Sequence, residues 1–266
     1  MTLPPENFLA RAVTASRARI ALLEGDTPLS ELEERIWNLP PAVSFEAPLR
    51  GAERLHVIAE MKRSSPSAGL LAARYDPRRL ARAYLEGGAS AISVLTEPDL
   101  FGGELSHLRL AATSGLPILR KDFLVSPYQV AEARLAGADA VLLIVAALGE
   151  VGLRQMLQAA GKYGLAALVE IHDEEDIHMA AGCGARIVGV NSRDLRTLKI
   201  DSDRCAKLAP KLSRSVIRVA ESGVSRPDQA RALRQTGYDA VLVGEALMRA
   251  PDPVAALRAL AEAGTP

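Results

Sequence analysis

From residue 55 onward, short apolar runs alternate with loops and amphipathic stretches. The runs are HVIAEMK (56–62), AISVLT (91–96), PILRKDF (117–123), AVLLIVA (140–146), AALVEI (166–171), IVGVNSR (187–193), VIRVAES (216–222) and AVLVGEA (240–246). Near-continuous apolar runs of this length predict parallel strands covered on both faces. Helix starts fall between them. Asp76-Pro77, Ser126-Pro127 and Asp252-Pro253 each set a capping residue before a proline at the first helical position. Asp173 to Asp176 and Ser225 to Asp228 read as capping boxes. The exits are repetitive as well: EGGASAISVL, LAGADAVLL, CGARIVGV and TGYDAVLVG each end a helix at glycine and start a strand at once. The pattern is an internal repeat of about 25 residues.

Eight strand–helix units in about 210 residues predict an α/β fold, a closed (β/α)8 TIM barrel over residues 55–266. The rival is an open doubly wound sheet, which needs a glycine-rich dinucleotide turn after an early strand; none of the first turns reads GxGxxG. Residues 1–54 lie outside the rhythm. ENFLARAVTASRARIALLEG and PLSELEERIWNL have helical apolar spacing, and Pro40-Pro41 to Arg50 reads as a connector. These residues are expected to form a helical extension packed on the barrel, making a single domain overall.

Barrel strands point alternate residues inward, and active sites of such barrels sit at the carboxyl ends of the strands. Glu60 and Lys62 end strand 1 in phase with Ile58. Lys121 and Phe123 follow Leu119 on strand 3, Glu170 follows Leu168 on strand 5, Asn191 and Arg193 follow Gly189 on strand 6, and Glu221 follows Val219 on strand 7. The amino ends of these strands carry no comparable set. One such residue is readily explained as a structural ion pair or a charge reaching for solvent. Seven at the same end of five strands point to a site, where clustered Lys and Glu can shift one another's pKa toward acid–base use.

Composition narrows the classes. The chain is 48% hydrophobic and 24% charged, enough for a deep core. Its 32 basic residues balance 32 acidic ones, so bulk electrostatics favour neither nucleic acid nor membrane. Glu6 and Arg11 interrupt any signal-peptide pattern, and the longest apolar run, 140–149, is too short to span a bilayer. Cys183 and Cys205 cannot build a disulfide framework; two reduced thiols fit the cytoplasm. His56 belongs at the bottom of strand 1 and His107 and His178 in helices; His172 follows Glu170 and can face the mouth, with a loop role the expectation; no histidine pair has ligand spacing, so no metal is expected.

The last two strands add a second signal. ESGVS (221–225) and GEALM (244–248) place glycines where backbone can approach an anion closely. In this fold the loops after strands 7 and 8 commonly bind phosphate through backbone N–H groups. Ser65, in the SPSAG loop, can add a hydroxyl. Phe101 and Phe123 are placed to line an apolar slot, with core packing as the alternative for Phe123.

Taken in order, IAEMKRSSPSAG, SVLTEPDLFGG, ILRKDF, ADAVLLIVAAL, LVEIHDEEDI, GVNSRDLRTLKID, AESGV and VLVGEALM closely resemble the indole-3-glycerol phosphate synthase family of tryptophan biosynthesis. The resemblance runs from about residue 55 to the end and more loosely through the amino-terminal helices. The chain departs from the family at Leu100, where a second aromatic is common. The resemblance implies a cofactor-free lyase reaction on a phosphorylated small molecule. In it, 1-(2-carboxyphenylamino)-1-deoxyribulose 5-phosphate closes its ring with loss of CO₂ and water. It implies that Lys121 is the general acid and Glu170 the base of dehydration. Lys62 lies near the substrate carboxylate, and Glu60 holds and tunes the lysines. Asn191 and Glu221 bind sugar hydroxyls or orient catalytic groups, and Arg193 supplies positive charge. Ser65, Ser222, Gly223, Gly244 and Glu245 take the phosphate side, and Phe101, Phe123, Leu142, Leu195 and Leu242 sandwich the anthranilate ring. Other tryptophan-pathway enzymes are the partner class it suggests. Two other readings stay open from the residues alone. One is a phosphosugar aldolase using Lys121 or Lys62 as a Schiff-base nucleophile; the other is a barrel that keeps only phosphate binding.

Overall fold

The computed structural model describes residues 8–51 and 54–264. The first seven residues, Glu6 among them, and the last two lie outside this part. Eight parallel strands close into a barrel: β1 (His56–Met61), β2 (Ala91–Leu95), β3 (Ile118–Lys121), β4 (Ala140–Ile144), β5 (Ala166–Ile171), β6 (Ile187–Asn191), β7 (Ile217–Glu221) and β8 (Ala240–Val243). Closure is made by β1, which pairs with β2 on one side and β8 on the other, Ile58 facing both Ala91 and Leu242 in register. All eight predicted runs are strands; six of them lose a polar or glycine-led tail to the segment that follows.

Two hydrophobic clusters explain why the runs are apolar on every position. Val57, Ala59, Met61, Val141, Leu143, Val169, Val188, Val190, Val241 and Val243 face outward and pack under the surrounding helices. Ile58, Leu119, Leu142, Leu168, Ile187, Val219 and Leu242 fill the barrel interior. Each fully buried side chain of this kind contributes about 1.5–3 kcal/mol relative to exposure. The interior cluster stops at one end, and there the inward positions become charged.

The helices begin as their sequences require. Asp76 accepts from Arg79 N–H, Ser126 from Tyr128 N–H, Asp252 from Ala255 N–H and Asp173 from Asp176 N–H. The Ser225–Asp228 box is a correction. The helix caps at Arg226, and Gln229 Oε1 takes the N–H groups of Ser225 and Arg226 at 2.9 and 3.1 Å. Asp228 is drawn instead into an ion pair with Arg226, 2.8 Å away.

The amino-terminal segment forms α1 (Phe8–Asp26) and α2 (Leu29–Ile36). Phe8, Leu9, Ala12, Ser16 and Ile20 form the buried stripe of α1. Ser16 Oγ donates to the Phe123 carbonyl at 2.7 Å, and Leu9 N–H donates to the Leu195 carbonyl at 3.1 Å. Glu33 of α2 accepts from Lys162 and Tyr163, both at 2.6 Å. No helix among the described residues is long and apolar enough to cross a membrane.

Candidate active site

The inward phase at the carboxyl ends of the strands builds one cavity of about 430 Å³. Its wall includes Glu60, Lys62, Lys121, Glu170, Asn191, Arg193 and Glu221. The same wall carries Phe101, Phe123, Leu142, Leu195 and Leu242 on its apolar part, and Ser65, Ser222, Gly223, Gly244 and Glu245 on the side of β1, β7 and β8. Every residue that the family resemblance assigned to the site therefore lines one space.

Charge dominates its floor. Lys121 Nζ donates to Glu170 Oε2 at 3.2 Å and lies 3.2 Å from Glu221 Oε2. Both carboxylates have side chains 1% exposed. Across the mouth, Lys62 Nζ donates to Glu60 Oε1 at 2.8 Å. Two lysines thus face three carboxylates, and burial makes the excess negative charge costly. Glu221 carries that cost: burial above all, with repulsion from Glu170 and Glu60 against the pull of Lys121, pushes its pKa up to about 7. For Glu170 burial acts in the same direction, yet Lys121, His172 and Asn191 outweigh it and hold the group below the usual carboxylate range. Burial works against the Lys121 charge, but Glu221, Glu170 and Glu60 prevail and raise its pKa.

Two glycines make this packing fit. A Cβ on Gly189 would overlap Glu221 Oε1, and one on Gly244 would overlap Glu60 Oε1 and lie 3.1 Å from Lys62 Nζ. Gly244 has a negative φ of −121°, so close approach to Glu60 rather than a left-handed turn is what demands glycine there. Ser222 and Gly223 differ: both are left-handed, φ 64° and 81°. For Ser222 that conformation costs about 1–2 kcal/mol and turns the chain sharply at the end of β7.

Some predicted residues sit in unexpected settings. Strand β6 ends at Asn191, and Arg193 belongs to a loop pinned by a bridge to Ile200. Its Nη1 donates to the Leu198 carbonyl at 2.8 Å, which steers the guanidinium along the rim. Ser65 Oγ accepts from Ala68 N–H at 3.1 Å, organising its own turn in a hairpin of Ser64–Ser65 with Gly69–Leu70. Phe123 stands 6.5 Å from Phe101 between ring centroids and meets Phe8 edge-on at 5.9 Å.

Phe8, Ser67, Ser225 and Arg249 also line the cavity and escaped sequence reasoning. The buried stripe of α1 marked Phe8 as interior without saying against what. His172, expected to serve its loop, is half-buried beside Glu170 with Nε2 3.4 Å from Oε1. Its signal was position: two residues after Glu170, it continues the inward phase of β5. Among the described residues no group of three His, Cys, Asp or Glu side chains could hold a metal ion.

A family model described as indole-3-glycerol phosphate synthase matches residues 9–260. The chain belongs to the indole-3-glycerol phosphate synthase family. A protein of that name from Mycobacterium avium (strain 104) is 48% identical over 262 residues, which cover 98% of this chain and 96% of that one. Another from Parafrankia sp. (strain EAN1pec) is 47% identical over 260 residues, 97% of each. Solved structures repeat the fold alone. A 3-hexulose-6-phosphate synthase from Salmonella typhimurium aligns with TM-score 0.63 at 16% identity, over 79% of this chain and 98% of its own. A thiamine phosphate pyrophosphorylase from Pyrococcus furiosus aligns with TM-score 0.58 at 21% identity, over 79% and 95%.

Proposed function

We propose that this cavity closes the indole ring of 1-(2-carboxyphenylamino)-1-deoxyribulose 5-phosphate, giving indole-3-glycerol phosphate, CO₂ and water. Family membership makes the chain an indole-3-glycerol phosphate synthase, a carboxy-lyase of tryptophan biosynthesis. The observation that carries the assignment of roles is Lys121 set between two buried carboxylates whose pKa values are driven apart. Pairs of titratable groups pushed in opposite directions mark acid and base assignments.

In the first step the anilino ring carbon attacks the ribulose carbonyl and the oxygen becomes an alkoxide. Lys121 stays charged under three carboxylates and delivers the proton, since an alkoxide is the stronger base. The new ring loses CO₂ to recover its aromatic sextet. Dehydration then needs a base. Glu170 is held ionised and takes a proton from the ring CH₂ beside the nitrogen, the former first carbon of the ribulose, as the hydroxyl leaves the neighbouring carbon. Lys62, beside Glu60, faces the substrate carboxylate and assists departure of the hydroxyl. Phe101, Phe123, Leu142, Leu195 and Leu242 supply apolar area for the anthranilate ring. The turn at Ser222 and Gly223, with Gly244, Glu245 and Ser65, forms the phosphate side, and Asn191, Glu221 and Arg193 lie between the two ends.

The Schiff-base reading fares worse on the same geometry, because a nucleophilic amine must be neutral and Lys121 is held charged. Supplying the aminodeoxyribulose phosphate and following indole fluorescence tests the proposal. Fluorescence should rise with one CO₂ released per indole formed. Trapping of Lys121 by borohydride in place of fluorescence would overturn it.

A further inference from the structure

His172 is used by none of the steps above, yet its two ring nitrogens are buried and one of them lies against the residue cast as base. Its Nε2 lies 3.4 Å from Glu170 Oε1, the oxygen turned away from Lys121. On its other side, Nδ1 is 3.8 Å from Asp176 Oδ2. Asp176 is itself fixed: it is buried, its Oδ2 accepts the backbone N–H of His172 at 2.8 Å, and its own N–H caps on Asp173. A neutral imidazole has one N–H and one lone pair, so between two carboxylates it must turn a lone pair toward one of them. Only the imidazolium presents a proton to each.

We propose that His172 is a positioning residue for Glu170: as an imidazolium braced by Asp176 it holds Oε1, leaving Oε2 to exchange Lys121 for the substrate proton. The proposal rests on the reading of Glu170 as base. Asp173, on the same loop as the ring, lines the adjoining cavity with it. Arg204, on the helix after β6, opposes the proton; Asp194 and Arg196, on the loop before it, face the same small cavity, and α1 presents only Leu9, Ala10 and Val13 there. Burial also opposes the proton, but Asp176 and Glu170 outweigh it and the His172 pKa is raised.

The cavity on which His172 opens is separate from the substrate cavity, about 460 Å³, and Leu195 lines both. The ring edge meets this second cavity while both ring nitrogens are themselves buried, so the two flanking carboxylates rather than solvent hold the proton, with or without substrate in the mouth. As pH rises through the raised pKa, Glu170 loses its second support and kcat should fall.

Nitrogen-15 NMR of the histidines in the full chain reads the charge state directly, with His172→Asn assigning the signal. The expected result is a midpoint above the ordinary histidine value of about 6.5 that moves down in Glu170→Gln and in Asp176→Asn. Activity supplies the second arm. His172→Asn keeps one donor and should lose only the alkaline limb that follows the imidazolium. His172→Phe should lower kcat roughly tenfold with little change in KM, less than loss of the general catalyst itself. A neutral His172 at pH 7, or a midpoint indifferent to Glu170→Gln, overturns the proposal whether or not His172→Phe folds. Wild-type kcat and pH profile in His172→Asn and His172→Phe overturn it too, while an inactive Glu170→Gln leaves the role of the base standing. Normal turnover in Glu170→Gln would instead refute the base, and with it this proposal's premise.

Discussion

Gly244→Ala isolates the contact that most tightly links packing to chemistry. The φ at 244 is negative, −121°, so no left-handed turn is at stake and the substitution acts chiefly through the space its methyl needs. That space is held by Glu60 Oε1, with Lys62 Nζ 3.1 Å from the new carbon. Glu60 is 4% exposed and has little room to retreat, so the carboxylate must swing off Lys62. Overpacking of this kind costs about 1–3 kcal/mol. In a chain of this size each kcal/mol lowers Tm by roughly 2–4 °C, so a drop of a few degrees is expected. The larger consequence is in turnover: a lysine displaced from its place costs about a hundredfold in kcat if it assists the reaction. The assay is indole fluorescence beside a thermal melt, for Gly244→Ala, Glu60→Gln and the double variant. If the methyl acts through Glu60, the double variant should be little worse than Glu60→Gln alone. Gly161→Ala, where a Cβ meets nothing within 4 Å, is the control: turnover should be unchanged and Tm equal or slightly higher, since alanine favours the helix that holds it. Additive losses in the double variant, or a loss confined to KM, would refute the reasoning and return Gly244 to a purely phosphate-binding part.

Glu221→Gln should flatten the pH dependence of stability. The native pKa of about 7 lies above the ordinary 4.5, so this group's contribution is fully present at low pH and is lost as pH climbs through 7. Between pH 4 and 8 the wild type should lose up to about 3 kcal/mol that the variant does not, read from urea melts. Ser16→Ala removes the 2.7 Å bond to the Phe123 carbonyl, leaving Gln129 Nε2 at 3.3 Å. Stability should fall by about 1 kcal/mol, and KM should rise more than kcat falls as the aromatic slot loosens. Gly223→Val forces a β-branched residue to φ 81°, and KM for the phosphorylated substrate should rise, with sulfate competing less well than in the wild type.

The barrel was legible because its signal is local. An apolar run, a capping residue before proline and a glycine exit are each written within a few residues, and they recur. The inward charges were legible for the same reason: Ile58, Glu60 and Lys62 announce their shared face by spacing alone. What stayed hidden depends on partners distant in sequence. Phe8 meets Phe123 across the whole first half of the barrel, and the α1 stripe records burial without naming its partner. Arg193 followed the inward phase on paper, but its strand had already ended, and its direction comes from the Leu198 carbonyl. At residues 225–229 two side chains competed for one helix start, and Gln229 prevailed because Asp228 had Arg226 to pair with. Outside the barrel, Arg120 alternates with the inward Leu119 and Lys121, and nothing in the local pattern gave it a role. It anchors Asp122, Glu132 and the Gln129 carbonyl, and Phe123 N–H rests on Asp122.

The central claim is that Lys121 and Glu170 act as acid and base across the mouth of this barrel. Its most direct measurement is kcat for ring closure in Glu170→Gln, with circular dichroism showing the fold intact. The amide keeps the shape of the side chain and an acceptor for Lys121 but cannot take a proton. A fall of about a hundredfold or more is expected. Turnover near that of the wild type, in a folded variant, would contradict the assignment.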